Sequence, residues 1–213
     1  RFPTELETLD RLGMENLDAI ESTVRDRAWA CDFERVGSFA VATEPYQVAE
    51  LAAAHDGETE RFYDDAAMRE QVHSPTYEGG LWSTRDTALV HPGKLADALL
   101  RACLDAGVEV FEHSAVGGLR AEADGVELSI LAGGVLRADR VALATNAFPS
   151  LLKRYRLHTV PVYDYVLMTE PLTDAQLASI GWEGRQGIAD SANQFHYYRL
   201  SADNRILWGG YDA

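Results

Sequence analysis

Residues 92–146 constrain the fold more than any other stretch of this chain. Pro92 and Gly93 open a segment in which Leu95, Leu99, Ala102, Cys103 and Ala106 recur at helical spacing, so a helix with one apolar face is predicted. Proline suits the first helical turn, where its missing N–H has no intrahelical acceptor. Gly107 then supplies the left-handed residue on which many helices close. VEVFE, at 108–112, reads as a strand, and two further strands are expected near 115–122 and 125–131. In the second of these, Val126, Leu128 and Ile130 alternate with Glu127 and Ser129, the period of a half-buried strand. Gly133-Gly134 reads as a hairpin turn and 134–138 as the returning strand. VALAT, at 141–145, is an almost unbroken apolar run, which suits a strand covered on both faces, as in a parallel sheet.

On either side of this stretch the pattern changes. Leu6, Leu9, Leu12, Leu17, Ile20 and Val24 predict a helix over 4–28, with Gly13 inside it. Residues 34–43 read as a strand, Pro45 as a helix start running to His55-Asp56-Gly57, and Asp64-Asp65 as the opening of a shorter helix through Val72. Short strands around a loop are expected over 79–90, a short helix over 148–155, a long strand over 159–169 and a helix over Asp174–Ile180. The end reads as a hairpin: strand 194–200, a turn at Asp203-Asn204, strand 205–209. The acidic runs at Glu58–Glu60 and Asp64-Asp65 read as solvated faces.

Composition narrows the partners. The 213 residues allow one large domain or two small ones, and 46% apolar residues suffice for a packed core. A formal net charge of -15 repels phosphate backbones and anionic lipid, so neither nucleic acid nor a membrane is expected as a partner. No stretch reaches the apolar length of a membrane span, and the opening Arg1-Phe2-Pro3-Thr4-Glu5 has neither a basic nor an apolar leader region. Cys31 and Cys103, far apart, read as two free thiols of a cytoplasmic protein. His158 and His196 have no partner at metal spacing, so no metal site is expected. His91, just ahead of a proline-initiated helix, reads as a capping or packing residue.

Two stretches carry a resemblance. ALVHPGKLADALLRACLDAGVEVFEHSAV followed by RADRVALATNAFPS, and the terminal YYRLSADNRILWGGYD, resemble the middle of the FAD-dependent oxidoreductases of the D-amino-acid oxidase superfamily. The likeness is most specific over 88–147 and 195–211, and the bacterial members acting on glycine, sarcosine or gamma-glutamylputrescine are the most similar. It implies an α+β and α/β architecture: an incomplete Rossmann-like FAD-binding domain with a β-meander, interleaved with an antiparallel-sheet substrate domain. By this resemblance 91–147 belongs to the FAD domain, 1–90 and 148–206 to the substrate domain, and 207–213 returns toward the FAD domain.

The resemblance assigns FAD contacts residue by residue. At Val116 the main chain is expected to pair with the adenine edge, though a core strand valine fits the sequence equally well. Thr145, Asn146 and Ala147 stand at the end of a predicted strand, where ligands of open α/β sheets bind and small residues let a cofactor approach the backbone. An ordinary turn with Asn146 left-handed is the alternative. Gly209-Gly210 would let a flat ring lie against the backbone, flanked by Trp208 and Tyr211, while a hairpin glycine pair with core aromatics is the other reading. The 147 turn and the glycine pair are expected to flank a common ring. For the substrate, a small amine or amino acid, the candidates are Tyr197, Tyr198, Arg199 and Tyr211. Arginine can hold a carboxylate by two parallel hydrogen bonds, and a phenol adds a donor. Alternation along a strand puts Tyr197 and Tyr198 on opposite faces, so only one of them is expected to meet the substrate.

No side chain stands out as a general base, and no residues match the G-x-G-x-x-G turn that cradles a dinucleotide pyrophosphate. This predicts that the chain is a central fragment which binds FAD weakly or not at all, cut from a parent enzyme that oxidises the C–N bond of an amine or amino acid. A flavin-dependent dehydrogenase of a hydroxy acid or glycerol phosphate, and a non-catalytic binding module, are the alternatives.

Overall fold

A computed structural model of the chain describes residues 4–148, 150–155 and 157–210. The polypeptide packs as two compact units, residues 1–102 with 164–213, and residues 103–163.

Helix α1 (Leu6–Asp26) carries the predicted amphipathic pattern, reinforced by the Arg11–Glu15 ion pair one turn apart at 2.6 Å. Of its residues only Val24 is buried; Leu6, Leu9 and Leu12 stay about half exposed. Strand β1 (Ser38–Ala42) follows, then α2 (Pro45–Ala54). Gln47 of α2 is buried, and its side-chain oxygen accepts the N–H groups of Thr43 (2.8 Å) and Glu44 (3.1 Å), two donors the helix start leaves open. Strand β2 (Glu60–Asp64) runs into α3 (Asp65–Gln71), capped where Asp64 accepts from Ala67 N–H at 2.9 Å. Strand β3 (Gly79–Ser83) precedes α4 (Pro92–Asp105). His91 caps α4 as expected, its Nδ1 accepting from Lys94 N–H at 3.3 Å. At the other end Gly107, at φ +83°, closes the helix in a double-bonded stop: Gly107 N–H reaches Leu104 O and Val108 N–H reaches Cys103 O.

The second unit holds a meander, β4 (Val116–Glu122), β5 (Gly125–Ile130) and β6 (Val135–Ala138), all antiparallel, and a 3-10 turn at Lys153–Tyr155. Gly133 and Gly134, at φ +102° and +105°, form the predicted turn between β5 and β6. The first unit then resumes with β7 (Tyr165–Met168), α5 (Asp174–Ile180), β8 (Gly187–Asp190), β9 (His196–Leu200) and β10 (Ile206–Gly210).

Seven strands form the main sheet, in the order β2-β3-β1-β8-β9-β10-β7. Its pairings are antiparallel except β1 with β8, so the sheet is mixed rather than purely antiparallel. One face carries the core: Phe39, Val41, Ile188, Tyr198 and Leu200 project from the strands onto Met68, Val72, Tyr77 and Trp182. Edge strand β7 is different, with all four apolar residues exposed.

Several sequence expectations do not hold. Residues 108–112 and 141–145 are not strands: among the described residues neither run pairs with another, and Val108, Val110, Phe111 and Leu143 are exposed. A strand exists only through a partner's hydrogen bonds, which an apolar run alone does not guarantee. Among the described residues of 148–155, where a helix is expected and residue 149 lies outside the description, the structure has the 3-10 turn, and of the strand expected over 159–169 it has β7. Two strands, β2 and β8, went unforeseen.

Candidate functional site

Strand β9 presents HYYRL, and the pleat sorts these side chains. Tyr198 faces the core. Only 7% exposed, it bonds through its hydroxyl to the Tyr77 hydroxyl and stacks flat on Trp208 at 4.3 Å between ring centroids. Burial pushes both phenols well above the ordinary tyrosine pKa; hydrogen bonding then works against the rise at Tyr77 and adds to it at Tyr198. Tyr198, proposed from the sequence as a substrate candidate, thus lies on the core side of the sheet with its hydroxyl matched by that of Tyr77.

His196 shares the face of Tyr198. Its Nδ1 lies 2.7 Å from Asp190 Oδ2, and its ring sits 5.5 Å from that of Trp208. Asp190 is fixed in turn by the N–H groups of Ala192 (3.1 Å) and His196 (3.2 Å). The carboxylate thus sets the orientation of the imidazole.

Tyr197 and Arg199 occupy the opposite face. Gly209 of β10 lies directly across from Tyr197, and a Cβ on Gly209 would come within 2.3 Å of the Tyr197 ring. The flat ring that Gly209 admits in this structure is that tyrosine, whose hydroxyl donates to the Asp164 carboxylate. A Cβ on Gly210 would likewise press on the His196 ring, at 2.8 Å. Both glycines are buried, whereas Trp208 between the strands is 41% exposed. Arg199 donates to the carbonyls of Val90 (2.9 Å) and Leu200 (3.3 Å). Burial lowers its pKa from the ordinary arginine value, and the nearby Glu34 carboxylate partly offsets this. Glu34 itself has one buried oxygen, Oε2, with no hydrogen-bond partner. Tyr211 lies outside the described residues.

The second unit carries the other candidates. Val116 stands on β4, an edge strand of the meander. Leu131 N–H bonds to Ala115 O at 2.8 Å, whereas Ile130 N–H turns away to Gly134 O at 3.1 Å. Val116, opposite Ile130, is therefore at a non-hydrogen-bonded position of the pair, and its N–H and C=O point outward from the sheet edge. That is one donor and one acceptor side by side, which fits a nucleobase edge. Thr145, Asn146 and Ala147 form a turn closed by Phe148 N–H to Thr145 O at 3.1 Å, with Asn146 left-handed at φ +51°. Asn146 and Ala147 are exposed and border a cavity of about 180 Å³ lined also by Phe148, Ser150, Tyr155 and Thr159. Exposed main chain on small residues fits close approach by a cofactor.

Sequence reasoning missed Asp164, Asp190 and Tyr77. Asp164 had a signal: it is the single charged residue in VPVYDYVLM. Asp190 and Tyr77 had none, since strand pairing alone brings them to β9. Among the described residues no cluster suited to a metal exists, and no helix is long and apolar enough to cross a membrane.

Comparison with known proteins agrees with this architecture. The family described as FAD dependent oxidoreductase matches residues 3–213. Gamma-glutamylputrescine oxidoreductase of Escherichia coli is 30% identical over 215 residues, covering 95% of this chain and 48% of that protein. A probable oxidoreductase, OrdL, of Haemophilus influenzae is 29% identical over 210 residues, covering 93% and 48%. The chain thus spans about half the length of the curated relatives it matches. Among solved structures, glycine oxidase from Bacillus cereus superposes with a TM-score of 0.76 at 17% identity, covering 94% of this chain and 55% of that one. Glycine oxidase from Geobacillus kaustophilus gives 0.72 at 18%, covering 93% and 54%.

Proposed function

Because the chain belongs to the family of FAD-dependent oxidoreductases, we propose that the complete gene product oxidises the carbon–nitrogen bond of a small amine or amino acid. The observation that carries this reading is the family match over residues 3–213. The 30% identity to a gamma-glutamylputrescine oxidoreductase supports the amine class.

FAD, when bound, supplies the acceptor for a hydride from the carbon next to nitrogen, and the resulting imine hydrolyses. The protein's part is to bind and orient. In the second unit Val116 offers its outward N–H and C=O to the adenine edge, and the turn of half-buried Thr145 with exposed Asn146 and Ala147 offers its backbone. In the first unit Trp208, Gly209 and Gly210 are the residues assigned to the flavin side, and Tyr197 and Arg199, on one sheet face, to the substrate. Residues 91–147 are read as the FAD-domain portion and the remainder as mainly substrate domain. Two separated free thiols, Cys31 buried and Cys103 exposed, suit a cytoplasmic location.

The test is a panel of primary amines, secondary amines and amino acids, assayed with the flavin-loaded gene product under oxygen and under an artificial acceptor. Bleaching of the flavin spectrum on anaerobic mixing with at least one amine is expected. Bleaching by hydroxy acids or glycerol phosphate alone would overturn the reading.

A further inference from the structure

Two Asp-Gly pairs occur in the chain, Asp56-Gly57 and Asp124-Gly125, and no Asn-Gly. Such a pair can react with itself. The nitrogen of the glycine attacks the aspartyl Cγ, a Cγ–N bond forms, and the carboxyl hydroxyl leaves as water with the N–H proton. The product is a five-membered succinimide. Water then adds at its main-chain carbonyl and breaks the original C–N peptide bond, so the chain continues through the side chain as isoaspartate. The water lost is regained, and no oxidant, metal or second protein takes part. Glycine, having no Cβ, leaves the attacking nitrogen unhindered.

Both aspartates are exposed, yet their surroundings are opposite. Asp56 Oδ1 accepts the N–H groups of Glu58, Thr59 and Glu60, each at 2.9 Å, and Oδ2 accepts the Thr59 hydroxyl at 2.7 Å. All of these donors lie beyond Gly57, and closing the ring onto Gly57 nitrogen has to displace them. They also keep the carboxylate ionised below its usual range, and an ionised group has no hydroxyl to lose.

Asp124 has no such restraint. It is the second residue of the two-residue loop between β4 and β5, since Glu122 pairs with Gly125. Among the described residues its carboxylate makes no hydrogen bond or ion pair. It borders an open cavity of about 350 Å³ with Glu122, Arg137 and Asp139, so the side chain has room to turn and water has access to the ring it would form. The glycine is fixed by the fold: Gly125 stands at φ +154°, and a Cβ there would come within 2.6 Å of Ala138 O. The hairpin therefore holds nucleophile and electrophile side by side, which makes the step unimolecular.

We propose that Asp124-Gly125 is a site of spontaneous isoaspartate formation and that Asp56-Gly57, the same dipeptide, is protected by its hydrogen bonds. The product adds one methylene to the main chain of a two-residue loop and leaves a free α-carboxylate at the hairpin tip.

The experiment holds the folded 213-residue chain at neutral pH and samples it over weeks. Digestion and chromatography separate the aspartyl and isoaspartyl forms of the two Asp-Gly peptides at unchanged mass. Methyl labelling by protein isoaspartyl methyltransferase counts them independently. One hydrogen bond to a charged group is worth about tenfold or more, so isoaspartate is expected to accumulate at 124 at least about tenfold faster than at 56. Thr59→Val, which removes the hydroxyl bond, should raise the rate at 56 and leave 124 unchanged. Asp124→Glu, which would have to close a six-membered imide, should lose the signal at the hairpin. In urea, where both pairs lose their surroundings, the two rates should come together to within a few-fold. No isoaspartate at 124 in the folded chain, equal rates at the two pairs, a ratio that survives unfolding, or a Thr59→Val chain no faster at 56 each overturns the proposal.

Discussion

The packing of Tyr197 on Gly209 allows a sharp test. Replacing Gly209 by alanine puts a Cβ 2.3 Å from Tyr197 Cζ and 2.6 Å from its oxygen. Neither distance is tolerable, and Gly209 sits between β9 and β7 where the backbone is held by ladders on both sides. The ring must therefore swing away, which also breaks its bond to Asp164. Overpacking of this kind costs about 1–3 kcal/mol. For a unit of this size that is a fall in melting temperature of about 2–12 °C, at about 2–4 °C per kcal/mol. The decisive assay is a double-mutant cycle. In a Tyr197→Ala background nothing opposes the new methyl, so Gly209→Ala should cost little or even stabilise slightly, and the coupling between the two sites should be about 1 kcal/mol or more. Chemical denaturation of the four proteins gives this number. If Gly209→Ala costs the same with and without the Tyr197 ring, the glycine is not there for the tyrosine and the account of the site's geometry is wrong.

Three other outcomes are expected. Leu200→Ala, at a side chain only 2% exposed in the main core, should destabilise by about 2–5 kcal/mol, read from the urea midpoint at unchanged slope. Tyr77 and Tyr198 keep their protons in the folded state above the pH at which free tyrosine ionises, so the stability they lend is complete below about pH 10 and lost as pH rises beyond it. Absorbance titration at alkaline pH should show ionisation of these two phenols only together with unfolding. Asp56 accepts the Thr59 hydroxyl and the N–H groups of Glu60, Glu58 and Thr59, which hold its pKa below the usual carboxylate range. Its contribution is present above about pH 4 and declines as pH falls below that. Wild type and Asp56→Ala should therefore differ at neutral pH and converge in acid; parallel curves would refute this.

Legibility in the sequence tracked whether the determinants were local. Helix α5 was visible at its true ends because Thr173 and Gln176 make a reciprocal cap and Gly181 closes it at φ +67°. The close of α4 at Gly107 and the turn at Gly133-Gly134 were visible for the same reason: a glycine's backbone freedom is written in one residue. Strands β2 and β8 were not. ERFYD reads as a charged surface, and GIAD is a short strand whose place depends on parallel pairing with β1, set far away in the chain. VEVFE and VALAT erred the other way, with strand composition and no partner strand among the described residues. In the site, alternation on β9 was enough to separate Tyr197 from Tyr198 but not to say which one meets the core. That choice followed from Tyr77, 121 residues earlier in the chain.

Strand β7 has a practical side. It is the outermost strand of the main sheet, its free rim offers unpaired main-chain groups, and Tyr165, Val166, Leu167 and Met168 are exposed along it. Such a rim is a template on which strands of other molecules can add, the usual seed of precipitation. Mutual repulsion between chains carrying a charge of -15 restrains this at neutral pH. Preparations of the 213-residue chain will therefore stay clear in low salt at neutral pH and turn turbid as acid or added salt weakens that repulsion, and a lysine in place of Leu167 is the substitution to try first for keeping it in solution.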